Sequence, residues 1–120
     1  GHESILTFDQ NKNYEYIKSD MPPIGIIKYF TETMVKSNTM NLKDKTFVVY
    51  TDGVTEGYLK NGEELGAEGV QNIINSIENI NPKNIVLGIE KELNWGAEKL
   101  RDDITCMAIN IENTELIKKK

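Results

Sequence analysis

The residues of this chain best suited to chemistry are aspartates placed at the ends of apolar strands. Thr46-Phe47-Val48-Val49-Tyr50 runs directly into Thr51-Asp52-Gly53-Val54-Thr55-Glu56. β-Branched and aromatic residues favour a packed, pleated environment, and their unbroken run predicts a strand covered on both faces. A strand that stops at Asp52 presents a carboxylate from a rigid mount, which suits a metal ligand. Gly53 lets the backbone turn sharply or approach another group closely. Asp-Gly is equally a two-residue hairpin signal, and on these residues alone a turn and a ligand mount are both open.

A second acidic site lies about fifty residues on, where Asp102-Asp103 precedes the apolar run Ile104-Thr105-Cys106-Met107-Ala108-Ile109-Asn110-Ile111. If the two strands are antiparallel neighbours, the end of one lies beside the start of the other, and the carboxylates meet at one edge of the sheet. Carboxylates brought together repel, and a cation between them relieves the repulsion. Oxygen-only ligation suits magnesium or manganese. Taken alone, Asp102-Asp103 reads first as a solvated turn, or as a salt-bridge partner for Lys99 or Arg101.

Other chemistries have thinner support. Asp52 to Glu63 places Asp, Gly and Glu at positions one, six and twelve of a calcium loop. Val54 and Lys60 then occupy positions that need oxygen ligands, and a strand rather than a helix precedes the loop. Cys106 is the single cysteine, which excludes an intrachain disulfide and thiolate zinc sites, and its apolar run suits packing better than reaction. His2, the sole histidine, sits at the terminus. No glycine-rich stretch carries the charge to cradle phosphate.

The elements that must position these groups are legible in order. The chain has 120 residues, 38% of them hydrophobic and gathered in blocks, enough for one domain. Its 19 acidic and 14 basic residues give a net charge of −5, which argues against general nucleic-acid binding. No apolar run reaches transmembrane length and the start lacks a signal peptide's apolar core, so no membrane insertion is expected; the single cysteine suits a reducing, cytoplasmic setting. Gly1 in place of an initiator Met points to a processed, tagged or excised segment.

Ile5–Phe8 and Tyr14–Ile17 read as a hairpin closed by Asp9 to Asn13. Met21 to Ile26, with Pro22 and Pro23, reads as an extended loop. Thr31–Met40, rich in Thr and Val, reads as a strand with one wet face. The period then changes. Val70, Ile73, Ile74 and Ile77 mark a helix over about 66–79. Asn81-Pro82 restarts a second helix over about 82–95, with Ile85, Val86, Ile89 and Leu93 on its apolar stripe. The expected class is α+β, mainly antiparallel strands with two helices, in a domain over 1–112 followed by a frayed tail over 113–120.

With these segments in hand, the chain resembles a known family. Tyr50-Thr51-Asp52-Gly53-Val54-Thr55-Glu56, then Asn61-Gly62-Glu63-Glu64-Leu65-Gly66-Ala67-Glu68-Gly69-Val70, then Asp102-Asp103-Ile104-Thr105 is similar to the C-terminal half of metal-dependent serine/threonine phosphatases. The branch is that of stage II sporulation protein E and the sigma-factor regulatory phosphatases, within the bacterial members of the protein phosphatase 2C superfamily. Gly1-His2 and Pro23-Ile24-Gly25-Ile26 resemble two further segments of the family, in the correct order.

The resemblance implies an α/β/β/α sandwich with two Mn2+ or Mg2+ ions at one end, hydrolysing phosphoserine or phosphothreonine on a phosphorylated regulatory protein. Asp52 and Asp102 match the family's metal ligands, and Asp103 the neighbouring position, able to hold a water or an additional ion. Gly53 would give backbone room and Thr51 support from behind. The family's bridging aspartate belongs to the other half, so this stretch alone is expected to show little or no phosphatase activity and to bind divalent metal weakly. A sandwich divided in this way exposes one sheet, which invites a homodimer. The alternatives are a non-catalytic interaction domain that keeps the fold and, more remotely, a calcium-binding module.

Overall fold

The computed structural model describes residues 3–18, 25–29, 31–37, 39–93 and 103–111. Four strands form one antiparallel sheet: β1 (Ile5–Asp9), β2 (Tyr14–Ile17), β3 (Lys45–Tyr50) and β4 (Cys106–Asn110), in the order β2-β1-β3-β4. Three α-helices accompany them: α1 (Asp52–Thr55), α2 (Gly66–Ser76) and α3 (Pro82–Glu92). This is the α+β class expected, with one short helix more.

The β1–β2 hairpin closes on the carboxylate of Asp9, which accepts from the backbone N–H groups of Asn11 at 2.8 Å and Asn13 at 2.9 Å. Its second oxygen accepts from the Asn13 side-chain amide at 2.9 Å. Stabilised first by that side-chain bond, the Asp9 carboxyl is held below its ordinary value. Lys12 takes a positive φ of 64° inside the turn, and Asp44 one of 58° in the turn entering β3.

The pairing β1–β3–β4 fixes the faces. Leu6 stands opposite Val48, and Val48 opposite Ala108. On that side Leu6, Phe8, Val48 and Tyr50 join Val54, Leu65, Val70, Ile73, Ile74, Ile85, Ile89 and Leu93 in one buried cluster. Each such side chain, fully buried, contributes roughly 1.5–3 kcal/mol of transfer free energy, which is why α2 and α3 lie on this face. The opposite face carries Ile5, Phe47, Val49, Met107 and Ile109, and none of them joins the cluster. Phe47 and Val49 are half-buried, and Met107 and Ile109 are 51% and 44% exposed. The unbroken apolar run of β3 therefore does not mean equal cover on both sides: its burial alternates strictly.

α3 begins as its sequence dictates. The Asn81 side chain accepts from the Asn84 N–H at 2.8 Å, with Pro82 in the first turn. Replacing Asn81 by Ala is expected to cost about 1 kcal/mol of folding free energy, read as a lower urea midpoint at unchanged slope. α2 stops at Ser76, three residues short of the expected 79, and Ile77 leaves in an extended conformation.

The stretch Thr31–Met40 is not a strand in its described residues. Glu32–Met34 forms one turn of 3-10 helix, and residues 31–37 are exposed throughout. β-Branched side chains favour a strand where a neighbouring strand and a covered face receive them, and this stretch pairs with no strand of the sheet. α3 stops at Glu92, with Leu93 extended, short of the expected 95; the Pro22-Pro23 loop, residues 94–95 and the tail over 113–120 lie outside the described residues. Among the described residues no helix is long and apolar enough to cross a membrane.

Candidate metal-binding corner

β3 and β4 are antiparallel neighbours, with Tyr50 opposite Cys106. The exit of β3 therefore lies beside the lead into β4, and residues 51–53 meet residues 103–105. Thr51 N–H donates to the Thr105 carbonyl at 3.0 Å, one step beyond the last strand pair. The chain then turns at once into α1. The Thr51 carbonyl accepts from Val54 N–H at 3.0 Å, and the Asp52 carbonyl from Glu56 N–H at 2.8 Å and from the Thr55 hydroxyl at 3.1 Å. The Asp-Gly pair thus opens a single helical turn and not a hairpin.

α1 is too short to stand alone. Val54, fully buried in the core cluster, anchors it from below. The segment that follows folds back and is fastened: Leu65 N–H donates to the Gly57 carbonyl at 2.8 Å, and Leu59 bridges Leu93 at the end of α3. Asp52, on the solvent side of this anchored turn, is exposed, as is Asp103.

Gly53 is buried where the two segments touch. A Cβ built on it would overlap the carbonyl oxygen of Asp103 and lie 2.9 Å from its carbonyl carbon. No residue with a side chain fits there without moving the backbone before β4. The glycine is needed for close approach, since its φ is not in the left-handed region.

Of the residues singled out in the sequence, the structure brings Thr51 and Gly53 against the main chain of Asp103, with Asp52 between them in the chain. Asp102 lies outside the described residues. Among the described residues no group of three His, Cys, Asp or Glu closes around an ion. The contacts that join the corner are made by main chain and the Thr51 hydroxyl, and the side chains of Asp52 and Asp103 are exposed beside them; carboxylate oxygens suit a hard divalent ion such as Mn2+ or Mg2+ and not a thiolate metal. Cys106 packs partly buried against the core, and burial pushes its thiol up, away from the thiolate. Opposite it, burial pushes the Tyr50 phenol up to about 12, so this hydroxyl stays neutral. Sequence reasoning missed Thr105, whose backbone joins the corner. The signal was available only through the β3–β4 register.

Fold and corner together define an α+β domain with aspartates at the junction of β3 and β4. The chain belongs to the stage II sporulation protein E (SpoIIE) family, which matches residues 1–112. It is a family of phosphatase 2C-like sporulation phosphatase domains. No curated protein and no solved structure gives a significant match to the chain.

Proposed function

We propose that this chain serves the metal-dependent hydrolysis of phosphoserine or phosphothreonine on a phosphorylated regulatory protein. Asp52 and Asp102 would hold Mn2+ or Mg2+, with Asp103 carrying a water or a further ion beside them. The observation that supports this reading is the contact of Gly53 with Asp103, which joins the two acidic segments at one corner. When bound, such ions generate hydroxide at neutral pH and neutralise phosphoryl charge.

The residues of the chain supply position. Asp52 rises from a turn anchored by Val54, so its carboxylate starts from a fixed backbone. Both aspartates described here are open to water, as a site for a bulky phosphoprotein requires. Cys106 and Tyr50, kept neutral by burial, are left to packing.

The test is phosphate release from a serine-phosphorylated protein by the full-length protein. Release is expected to require Mn2+ or Mg2+, to stop with a chelator and to return when Mn2+ is restored. Turnover that is indifferent to chelation would remove the metal reading. Calcium bound in preference to manganese, with no phosphate release, would favour the calcium module.

A further inference from the structure

The hairpin that follows α1 holds a reactive pair at its tip. Its arms meet where Tyr58 bridges Glu64. Leu59 N–H donates to the Glu63 carbonyl at 2.7 Å, and Gly62 N–H donates to the Leu59 carbonyl at 2.9 Å, closing a turn over Leu59–Gly62. Gly62 completes the turn at a φ of 87°, where a residue with a side chain is strained. Asn61, the only asparagine of the chain that precedes a glycine, is exposed beside it. Its side-chain carbonyl accepts from Glu63 N–H at 3.0 Å, and its amide donates to the Glu63 carboxylate at 3.2 Å.

An asparagine amide carries a leaving group within reach of the next peptide nitrogen, and a glycine leaves that nitrogen unshielded because it has no Cβ. The Gly62 nitrogen attacks the side-chain carbonyl carbon of Asn61. A bond forms between them, the carbon's bond to Nδ2 breaks, and the proton of the attacking nitrogen leaves with the departing ammonia. A five-membered imide results. Water, the only other reactant, opens it at either carbonyl to aspartate or isoaspartate, the second with one extra carbon in the main chain. Nothing is oxidised or reduced. Ring closure needs Gly62 N–H to leave Leu59 and the Asn61 side chain to leave Glu63. The Asn61 bonds are exposed, and short surface hairpins open at the low end of the stability range.

We propose that Asn61 is a self-modification site, which converts to aspartate and isoaspartate as the protein ages and so loosens the hairpin behind α1. The new carboxylate faces that of Glu63, where an amide donated before, and like charges repel. The extra carbon of isoaspartate falls between Leu59 and Gly62 and lengthens the turn that their bond closes. The hairpin is fastened on both sides: Leu65 N–H donates to the Gly57 carbonyl at 2.8 Å, and Leu59 bridges Leu93 after α3. The reaction therefore reaches the segment that braces α1, whether or not the corner holds a metal.

The measurement is tandem mass spectrometry of peptides from the full-length protein aged in neutral buffer, with hydrogen exchange of the intact samples. Asn61 is expected to gain one mass unit, amide to acid, and to give two products that chromatography separates. Conversion in urea is expected to run about 10-fold faster, since exposed hydrogen bonds hold the native turn only weakly. Asn61→Gln, whose longer side chain disfavours the ring, is expected to gain no mass at that position. The aged wild-type protein is expected to lose exchange protection at the amides of Leu59 and Gly62, which the turn now holds. A native protein unchanged at Asn61 while the urea-treated chain converts fully overturns the proposal, because the turn then shields the pair. Equal conversion at asparagines with no glycine after them also overturns it. Conversion at Asn61 with unaltered exchange overturns the loosening of the hairpin.

Discussion

Replacing Asp52 by Asn is expected to lower phosphate release by the full-length protein about 100-fold or more, while leaving the fold intact. Losing a residue behind a ligand costs 10- to 100-fold, and losing the ligand itself costs at least as much. The fold survives because Asp52 supports α1 through its main-chain carbonyl, which accepts from Glu56 and Thr55, and not through its side chain. The side chain is exposed, and Asn has the same shape, so the stability change should stay within about 0.5 kcal/mol. The rate constant for a phosphoserine substrate and a denaturation curve of the same preparation check both halves. Full activity in this variant would show that Asp52 is not a ligand.

The second large effect falls on stability. Gly53→Ala places a methyl group into the backbone carbonyl of Asp103. Backbone cannot yield as the end of a flexible side chain can, so the lead into β4 must move away from β3. Overpacking of this kind costs about 1–3 kcal/mol, and the displaced segment here is pinned by the bonds of Thr51 to Thr105. A drop of that size in urea denaturation is expected, accompanied by weaker Mn2+ binding. An alanine variant as stable as wild type would mean that the corner is looser than the contact implies. On these expectations the two substitutions divide the Asp-Gly pair: Asp52 would carry chemistry with little effect on folding, and Gly53 would carry folding that the chemistry depends on.

Much of this arrangement is legible in the sequence where local chemistry decides the structure. Asn81-Pro82 starts a helix because the cap and the proline act within one turn. The hairpin of β1 and β2 follows from side chains that bond their own loop. The antiparallel pairing of β3 with β4 enters the sequence reading only as a condition placed on two apolar runs, and it is the pairing the structure has. What escaped depends on partners far along the chain. Thr31–Met40 has strand-like composition, but composition does not supply a neighbour, and residues 31–37 stay exposed. α1 is a single turn, too short for any period, and Asp-Gly invited a hairpin reading. The metal role was raised by carboxylates at strand ends and given by family resemblance to Asp52 and Asp102, with Asp103 beside them; of these the structure describes Asp52 and Asp103. The means of holding their backbones together required the register, which no local pattern contains.

The outer face of the sheet has a consequence for the protein as a colloid. Met107 and Ile109 on β4 and Ile111 just beyond it leave an apolar strip at the sheet's edge, each roughly half exposed. Such a strip attracts another molecule's at contact distance and no further. What holds molecules apart beforehand is like charge, a net −5 on 120 residues. Added salt shrinks that repulsion to a reach of about 10 Å at 0.1 M and about 3 Å at 1 M. Ionic strength, which leaves the buried core untouched, thereby governs how closely two copies drift before the strip is felt.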